Sequence, residues 1–179
     1  MTDEQEKALI EEEDEQWFAE RKAFLAKYPD FPESRKIDCM NLIMRKEFAL
    51  EILRGTKKVE YRAYTKHYMD RLTDKNTQAY VEAHAGDKEF IESATEYSHM
   101  VRQVMKIHFH NYNNTWFLDV ECTMNDTVAL TKGGVELMHA YGSNELDEEL
   151  DHFEKNNIAD RPLYYYFVLG KVIDTNLKL

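Results

Sequence analysis

The stretch Gly55-Thr56-Lys57-Lys58-Val59-Glu60-Tyr61-Arg62 is the most informative part of this sequence. It follows a segment, Glu47 to Arg54, in which apolar and charged residues recur at helical spacing. Gly55 stands where a helix commonly ends on a residue with positive φ, so the chain can turn sharply there. We therefore predict a short helix over 47–54 and a strand from Lys58, with charge concentrated at their junction.

The composition is typical of a folded protein with one domain. The chain has 179 residues, of which 43% are hydrophobic and 32% charged, enough to bury a sizeable core. No apolar run approaches the roughly 18 residues of a membrane span, and the acidic N-terminus lacks the layout of a signal peptide. We expect a cytoplasmic protein with no membrane contact. Cys39 and Cys122 lie in strand-like apolar runs without metal-ligand spacing, which favours buried, reduced thiols.

The charge distribution limits the kind of partner. A net charge of −11 argues against an extended nucleic-acid track, because binding to a phosphate backbone depends mainly on Lys and Arg. Residues 45–75 differ from the rest, since they hold nine basic and five acidic side chains. The sequence therefore permits a local anion site within this basic segment.

The N-terminal segment predicts a long helix over residues 3 to about 28. Ile10, Trp17 and Phe24 recur every seven residues and form an apolar stripe. A helix that covers one side of the domain is the favoured interpretation, and dimerisation through this helix is the alternative. The prolines at 29 and 32 end the helix. We place the boundary near Lys36, which gives a helical extension over 1–36 and a domain over 37–179.

The rest of the chain alternates between strand and helix patterns. Residues 63–100 are polar with scattered aromatics, which indicates an insertion of short helices and loops. Alternating apolar residues on either side of the turn at 111–114 predict a β-hairpin. The other predicted elements are a strand over 37–44, helices over 135–141 and 146–156, and a final strand over 163–173.

The spacing Gly55-x-Lys57-x-x-Glu60-x-Arg62 resembles the G-x-K-x-x-E-x-R signature of the ASCH domain, a member of the PUA-like β-barrel superfamily. The segments 116–123 and 165–173 look like the second hairpin strand and the closing strand of that family. The resemblance covers roughly residues 37–62 and 101–173. It implies an α+β fold, in which a small, partly open β-barrel with flanking helices has a cleft that binds RNA or a nucleoside-like ligand.

One branch of that family hydrolyses N4-acetylcytidine with a lysine, a threonine and a glutamate. The resemblance places the lysine on Lys57 and the glutamate on Glu121, whereas Glu60 stands where that branch has threonine. A carboxylate cannot replace an activated hydroxyl nucleophile. Lys57 and Glu121 could still position a water by general acid–base chemistry, so an amidohydrolase is the alternative to a binding module.

The candidate ligand-binding residues follow from the signature and its neighbours. They are Lys57, Glu60, Arg62 and Glu121, with Tyr61 and Tyr64 as aromatic rings that could stack on a base. If Glu121 faces the barrel interior, it needs a partner such as Lys57 or Arg62.

Other interpretations of the same residues stay open. Lys58, Glu60 and Arg62 could form surface ion pairs worth about 0–1 kcal/mol, and the chain could be a protein-interaction subunit without a working cleft. His108 and His110 share a strand face, but solvated histidines are favoured over metal ligands because no third ligand is apparent. The sequence contains no nucleotide-cofactor motif or Ser-His-Asp pattern, so we expect no cofactor.

Overall fold

The computed structural model describes residues 2–97 and 100–179. The described residues form seven helices and five strands, which makes the protein an α+β fold. They divide into two compact units, one comprising residues 1–34 and 74–100 and the other 35–73 and 101–179. The segment predicted as one insertion, 63–100, is therefore divided between the two units, because 63–73 lie in the second unit and 74–100 in the first.

The first unit consists of three helices, α1 (Asp3–Lys27), α4 (Lys75–Ala83) and α5 (Lys88–Tyr97). The predicted long N-terminal helix is confirmed, and the side chain of Ile10 lies outside the described part. Phe24 and Phe90 are buried at the centre of this unit and are surrounded by the rings of Tyr28, Phe31 and Tyr80. Aromatic packing is therefore the main source of cohesion in this unit.

The second unit is built on a five-stranded sheet. Its strands are β1 (Met40–Ile43), β2 (Val59–Ala63), β3 (Lys106–His110), β4 (Phe117–Ala129) and β5 (Leu163–Thr175), in the order β1-β3-β4-β5-β2. β1 runs parallel to β3, and the other neighbours are antiparallel. The predicted hairpin and the predicted final strand over 163–173 are thus confirmed.

The sheet is curled into a half-barrel. Register shifts between β4 and β5 fall at 119–124, and such bulges bend a strand and increase its twist. β1 and β2 are left as the two edges. A partly open barrel with flanking helices, as we expected, is compatible with this arrangement.

Alternation along β5 distributes its aromatic side chains between two hydrophobic clusters. Tyr165 and Phe167 belong to the cluster beneath α2 (Lys46–Arg54) and α3 (Lys66–Leu72), whereas Tyr166 belongs to the cluster beneath α6 (Lys132–Ala140) and α7 (Asp147–Lys155). The period of two in a strand requires this division. Helices therefore pack against both faces of the same strand.

Two further observations bear on the sequence predictions. Cys39 is exposed, contrary to the expected burial, because the alternation of this segment puts it on the same side as the exposed Asn41 and Ile43; Cys122 is buried as expected. Within residues 2–97 and 100–179, no helix combines the length and the apolar character needed to cross a membrane.

Candidate functional site

Gly55 ends α2 in the left-handed conformation, with φ 81°, as predicted. The turn leads directly into β2 and places the signature residues at an edge of the sheet. Lys57 and Glu60 are only 8% and 7% exposed. The interpretation of Glu60 as part of a surface ion pair is therefore wrong, because its carboxylate is enclosed between two cationic side chains.

Glu60 binds both of those cations. One carboxylate oxygen, Oε1, lies 2.8 Å from Arg62 Nη2, and the other, Oε2, lies 3.4 Å from Lys57 Nζ. Arg62 also donates from Nη2 to the Ile43 carbonyl at 3.0 Å, and its Nη1 donates to the Tyr68 hydroxyl at 3.4 Å. Ile43 ends β1, so Arg62 connects the two edge strands across the open side of the half-barrel.

A second carboxylate reaches Lys57 from the loop between α6 and α7. Glu145 Oε1 lies 2.7 Å from Lys57 Nζ, which also donates to the Val59 carbonyl at 3.0 Å. Glu60 adds an ion pair to these two hydrogen bonds. The Lys57 ammonium is thus paired with two carboxylates of the protein, and a ligand that binds the amine directly has to compete with them.

The same loop fixes Tyr61. Its hydroxyl donates to Ser143 Oγ at 2.8 Å, and Ser143 Oγ donates to Glu145 Oε2 at 3.4 Å. Sequence reasoning missed Ser143 and Glu145. The available signal was the polar run from Gly142 to Glu145 between two helical segments, but nothing in the sequence says which distant residue that run contacts.

Burial changes the acid–base properties of this network. It raises the pKa of Tyr61 to about 12, with the Ser143 hydrogen bond opposing the rise. Burial also raises the pKa of the Glu60 carboxyl, and the charges of Arg62 and then Lys57 offset only part of that rise. Tyr61 is therefore a neutral hydrogen-bond donor at physiological pH.

We expect Glu60 to make the stability of the protein depend on pH. The folded protein retains the Glu60 proton at pH values where an unfolded glutamate, with a pKa of about 4.3, has released it. The contribution of Glu60 to the free energy of unfolding therefore falls as pH rises through that window. Urea unfolding at several pH values should show this fall in the wild type and not in Glu60→Gln.

The exposed Glu47 supplies the control for this measurement. Glu47→Gln, measured at the same pH values, separates the loss of the buried Glu60 carboxyl from the loss of one negative charge at an exposed position. A Glu60→Gln variant whose unfolding free energy follows the wild-type slope throughout the window would contradict a raised pKa at Glu60.

Two cavities of the second unit meet at Lys57 and Lys58, which line both. The smaller, the Ser143 cavity, has a volume of about 260 Å³ and is lined by Glu51, Thr56, Lys57, Lys58, Gly142, Ser143, Asn144 and Glu145. The larger, the β4–β5 groove, has a volume of about 420 Å³ and is lined by Ile52, Gly55, Lys57, Lys58, Glu121, Thr123, Leu169, Gly170 and Lys171. Only the larger volume reaches the roughly 300–1,000 Å³ of small-molecule sites.

Glu121 lies on the exposed face of β4, not inside the half-barrel. Its Oε2 accepts a 3.5 Å hydrogen bond from the Lys171 backbone N–H. A Cβ at Gly170 would lie 2.9 Å from the same oxygen, so glycine at that position allows the carboxylate to lie against β5. Glu121 thus shares the β4–β5 groove with Lys57, while Glu60 and Glu145 are the carboxylates that bind the lysine.

The remaining residues considered from the sequence, Tyr64, His108 and His110, line neither cavity. Tyr64 is 43% exposed and stacks on Tyr165 with ring centroids 5.1 Å apart. His108 Nδ1 lies 2.5 Å from Asp119 Oδ1, and its ring stacks on Phe117. Among the residues that the structure describes, no group of three or more His, Cys, Asp or Glu side chains could hold a metal ion.

The site therefore combines a buried ion-pair network with an open groove beside it. The network of Lys57, Glu60 and Arg62 fixes the backbone around the groove, and Glu121 presents a hydrogen-bond acceptor within it. Such a groove can bind a small polar ligand. No protein-family model matches this chain, and no curated protein matches it.

Proposed function

We propose that this chain is an ASCH-type module that binds a nucleoside-like ligand, or a short segment of RNA, in the cleft beside Lys57. The observation that carries the proposal is the position of Lys57. It lies at the meeting point of both cavities, and the other two charged residues of the signature are paired directly behind it. The resemblance of residues 55–62 to the ASCH signature supplies the class of ligand.

The signature residues have different roles under this proposal. Glu60 and Arg62 are positioning residues, because their charged groups bind each other and the end of β1. Glu121 is the group that a ligand meets, since it is exposed in the groove. Tyr61 supports the Ser143 loop. Tyr64 follows the end of β2 that is farther from Lys57 and lines neither cavity, so it makes no ligand contact under this proposal.

An amidohydrolase acting on an N4-acylated cytidine or a similar small amide is the second candidate. It is favoured by the presence of Lys57, Glu121 and Thr123 around one groove. The Lys57 amine is held by Glu145, Glu60 and Val59, so catalysis by this amine requires Glu145 to release it first. Binding needs no such rearrangement, which is why we place it first.

Nuclear magnetic resonance titration with cytidine and N4-acetylcytidine tests both candidates. We expect binding with a dissociation constant below about 1 mM, a typical weak small-ligand affinity. The shifted amides should cluster at 55–58, 121–123 and 169–171. Thr123→Trp should abolish the shifts, because the indole fills the groove.

The matched control is Tyr112→Trp, which adds an indole at a hairpin turn where the side chain is 84% exposed. It should bind as the wild type does. Shifts that map away from the groove, or no binding of either nucleoside or of a short single-stranded RNA, would contradict the proposed function. Release of acetate from N4-acetylcytidine, lost in Glu121→Gln, would establish the amidohydrolase instead.

A further inference from the structure

The β4–β5 groove holds more positive charge than a neutral nucleoside requires. Three lysines line it, Lys57, Lys58 and Lys171, together with one carboxylate among its described residues, Glu121. Lys57 is already neutralised by Glu60 and Glu145. The charge available to a ligand therefore comes from Lys58 and Lys171.

Both of these lysines are exposed, and neither forms an ion pair within the described part of the chain. The Lys58 stem passes over Gly142, where an added Cβ would lie 2.9 Å from Lys58 Cδ. Lys171 follows Gly170 on β5, where the Leu169 N–H donates to the Lys58 carbonyl at 2.9 Å, so the two lysines come from adjacent segments of the sheet. Two uncommitted ammonium groups on one groove are suited to a dianion such as a phosphate monoester.

Beside the two lysines, the groove offers surfaces that suit a base. Ile52 and Leu169 provide apolar contacts, and Gly170 leaves the backbone of β5 uncovered. Glu121 is an acceptor when ionised, so it pairs with an amino group and repels a carbonyl. A carboxylate is the side chain that commonly accepts from the N4 amino group of cytosine.

We infer that the β4–β5 groove takes a nucleoside monophosphate with an amino-bearing base, with the phosphate on Lys58 and Lys171 and the amino group on Glu121. This inference rests on the proposed function, because it takes the groove to be the nucleoside-binding cleft. The net charge of −11 opposes a long strand, so the ligand is a mononucleotide and not an RNA track. The volume of about 420 Å³ also fits one small molecule.

Isothermal titration with cytidine monophosphate, cytidine, uridine monophosphate and inorganic phosphate tests the inference. At low salt, cytidine monophosphate should bind about tenfold more tightly than cytidine, and added salt should shrink this advantage. It should also bind about tenfold more tightly than uridine monophosphate, which presents a carbonyl to Glu121.

Three variants test which residues bind the phosphate and which residue selects cytidine over uridine monophosphate. Lys58→Gln and Lys171→Gln should each remove most of the advantage of the monophosphate while the affinity for cytidine stays constant. Glu121→Gln should bring the two monophosphates within about threefold of each other, because an amide both donates and accepts. Lys178→Gln, at an exposed position near the C-terminus, is the control and should change nothing.

The outcomes separate this inference from the proposed function. If cytidine monophosphate binds no more tightly than cytidine, the phosphate site is wrong but the nucleoside cleft is not. The same conclusion follows if the tighter binding of the monophosphate persists in Lys58→Gln and Lys171→Gln. Inorganic phosphate that binds as tightly as the nucleotide overturns the role of the base. A 5′-phosphorylated oligonucleotide that binds more tightly than the mononucleotide overturns the choice of ligand. Absence of binding by every probe overturns both proposals.

Discussion

Replacing Arg62 with methionine should lower the free energy of unfolding by about 3 kcal/mol, the lower end of the cost of removing one partner from a buried ion pair. Glu60 is only 7% exposed in the wild type, so the substitution leaves a buried carboxylate with Lys57 at 3.4 Å as its remaining cation. It also removes the hydrogen bond from β2 to the Ile43 carbonyl at the end of β1. Urea denaturation followed by circular dichroism measures the loss.

We expect the lower end of this range of free energies because Arg62 does not have a hydrogen-bond partner for each of its N–H groups among the described residues. Its Nε is buried and has no hydrogen-bond partner within the described part of the chain, and the loss of this group removes an unfavourable burial. The methionine stem keeps most of the apolar contact of the arginine. The remaining cost is mainly that of a buried carboxylate that keeps only the more distant of its two cations, Lys57.

Arg71→Met is the matched control, because Arg71 also donates to a β1 carbonyl, Asn41, at 3.0 Å. Its side chain binds no buried carboxylate in the described contacts, so this variant should lose less than about 1 kcal/mol. Adding Glu60→Gln to Arg62→Met should restore at least about 1 kcal/mol, since it removes the buried charge that has lost its nearer cation. Equal losses for Arg62→Met and Arg71→Met would show that the Glu60–Arg62 pair does not stabilise the fold.

Gly134→Ala should destabilise the protein by about 2–3 kcal/mol, as expected for overpacking against a rigid neighbour. A Cβ at this position would clash with the Ala129 carbonyl oxygen and lie 3.0 Å from Val128 Cγ2. The first of these is a backbone atom at the end of β4, so it cannot move aside as a flexible side chain would. Relief requires α6 to shift away from the sheet.

Such a shift would also weaken the start of α6. The Gly134 N–H donates to Thr131 Oγ1 at 3.1 Å, which caps this helix. Loss of an N-cap hydrogen bond costs about 1 kcal/mol. Thermal or urea unfolding of the variant measures the combined effect.

The adjacent glycine supplies the comparison. A Cβ at Gly133 would meet no atom within 4 Å, and the residue lies in the same helix. Gly133→Ala should therefore be neutral or stabilise the protein by up to about 1 kcal/mol, because alanine has the higher helix propensity. Two neighbouring Gly→Ala changes with the same effect would contradict the close approach of Gly134 to β4.

Periodicity and turn chemistry were sufficient to locate most elements. The apolar spacing at 47–54 and the glycine after it predicted α2 and its left-handed end, and both are present. The alternation on either side of residues 111–114 predicted the β3–β4 hairpin. These signals are local, since the periodicity of a strand or helix can be recognised from a few consecutive residues.

The position of β1 shows where local patterns were insufficient. Its pairing with β3 is parallel and joins residues more than 60 positions apart, and the pattern of a four-residue strand does not specify such a partner. Pairing over long distances is decided by the whole sheet and not by the segment.

The sequence by itself determined the α+β elements and the charged junction at 55–62, because helix ends, strand alternation and side-chain charge depend on neighbouring residues. Only the tertiary structure decided which charges meet. Glu145 binds Lys57 across 88 positions of sequence, and Arg62 spans the two edges of the sheet. It also placed Glu121 in the groove and Glu60 in the buried network. The physical reason is that burial and ion pairing depend on packing between distant elements, which no local pattern encodes.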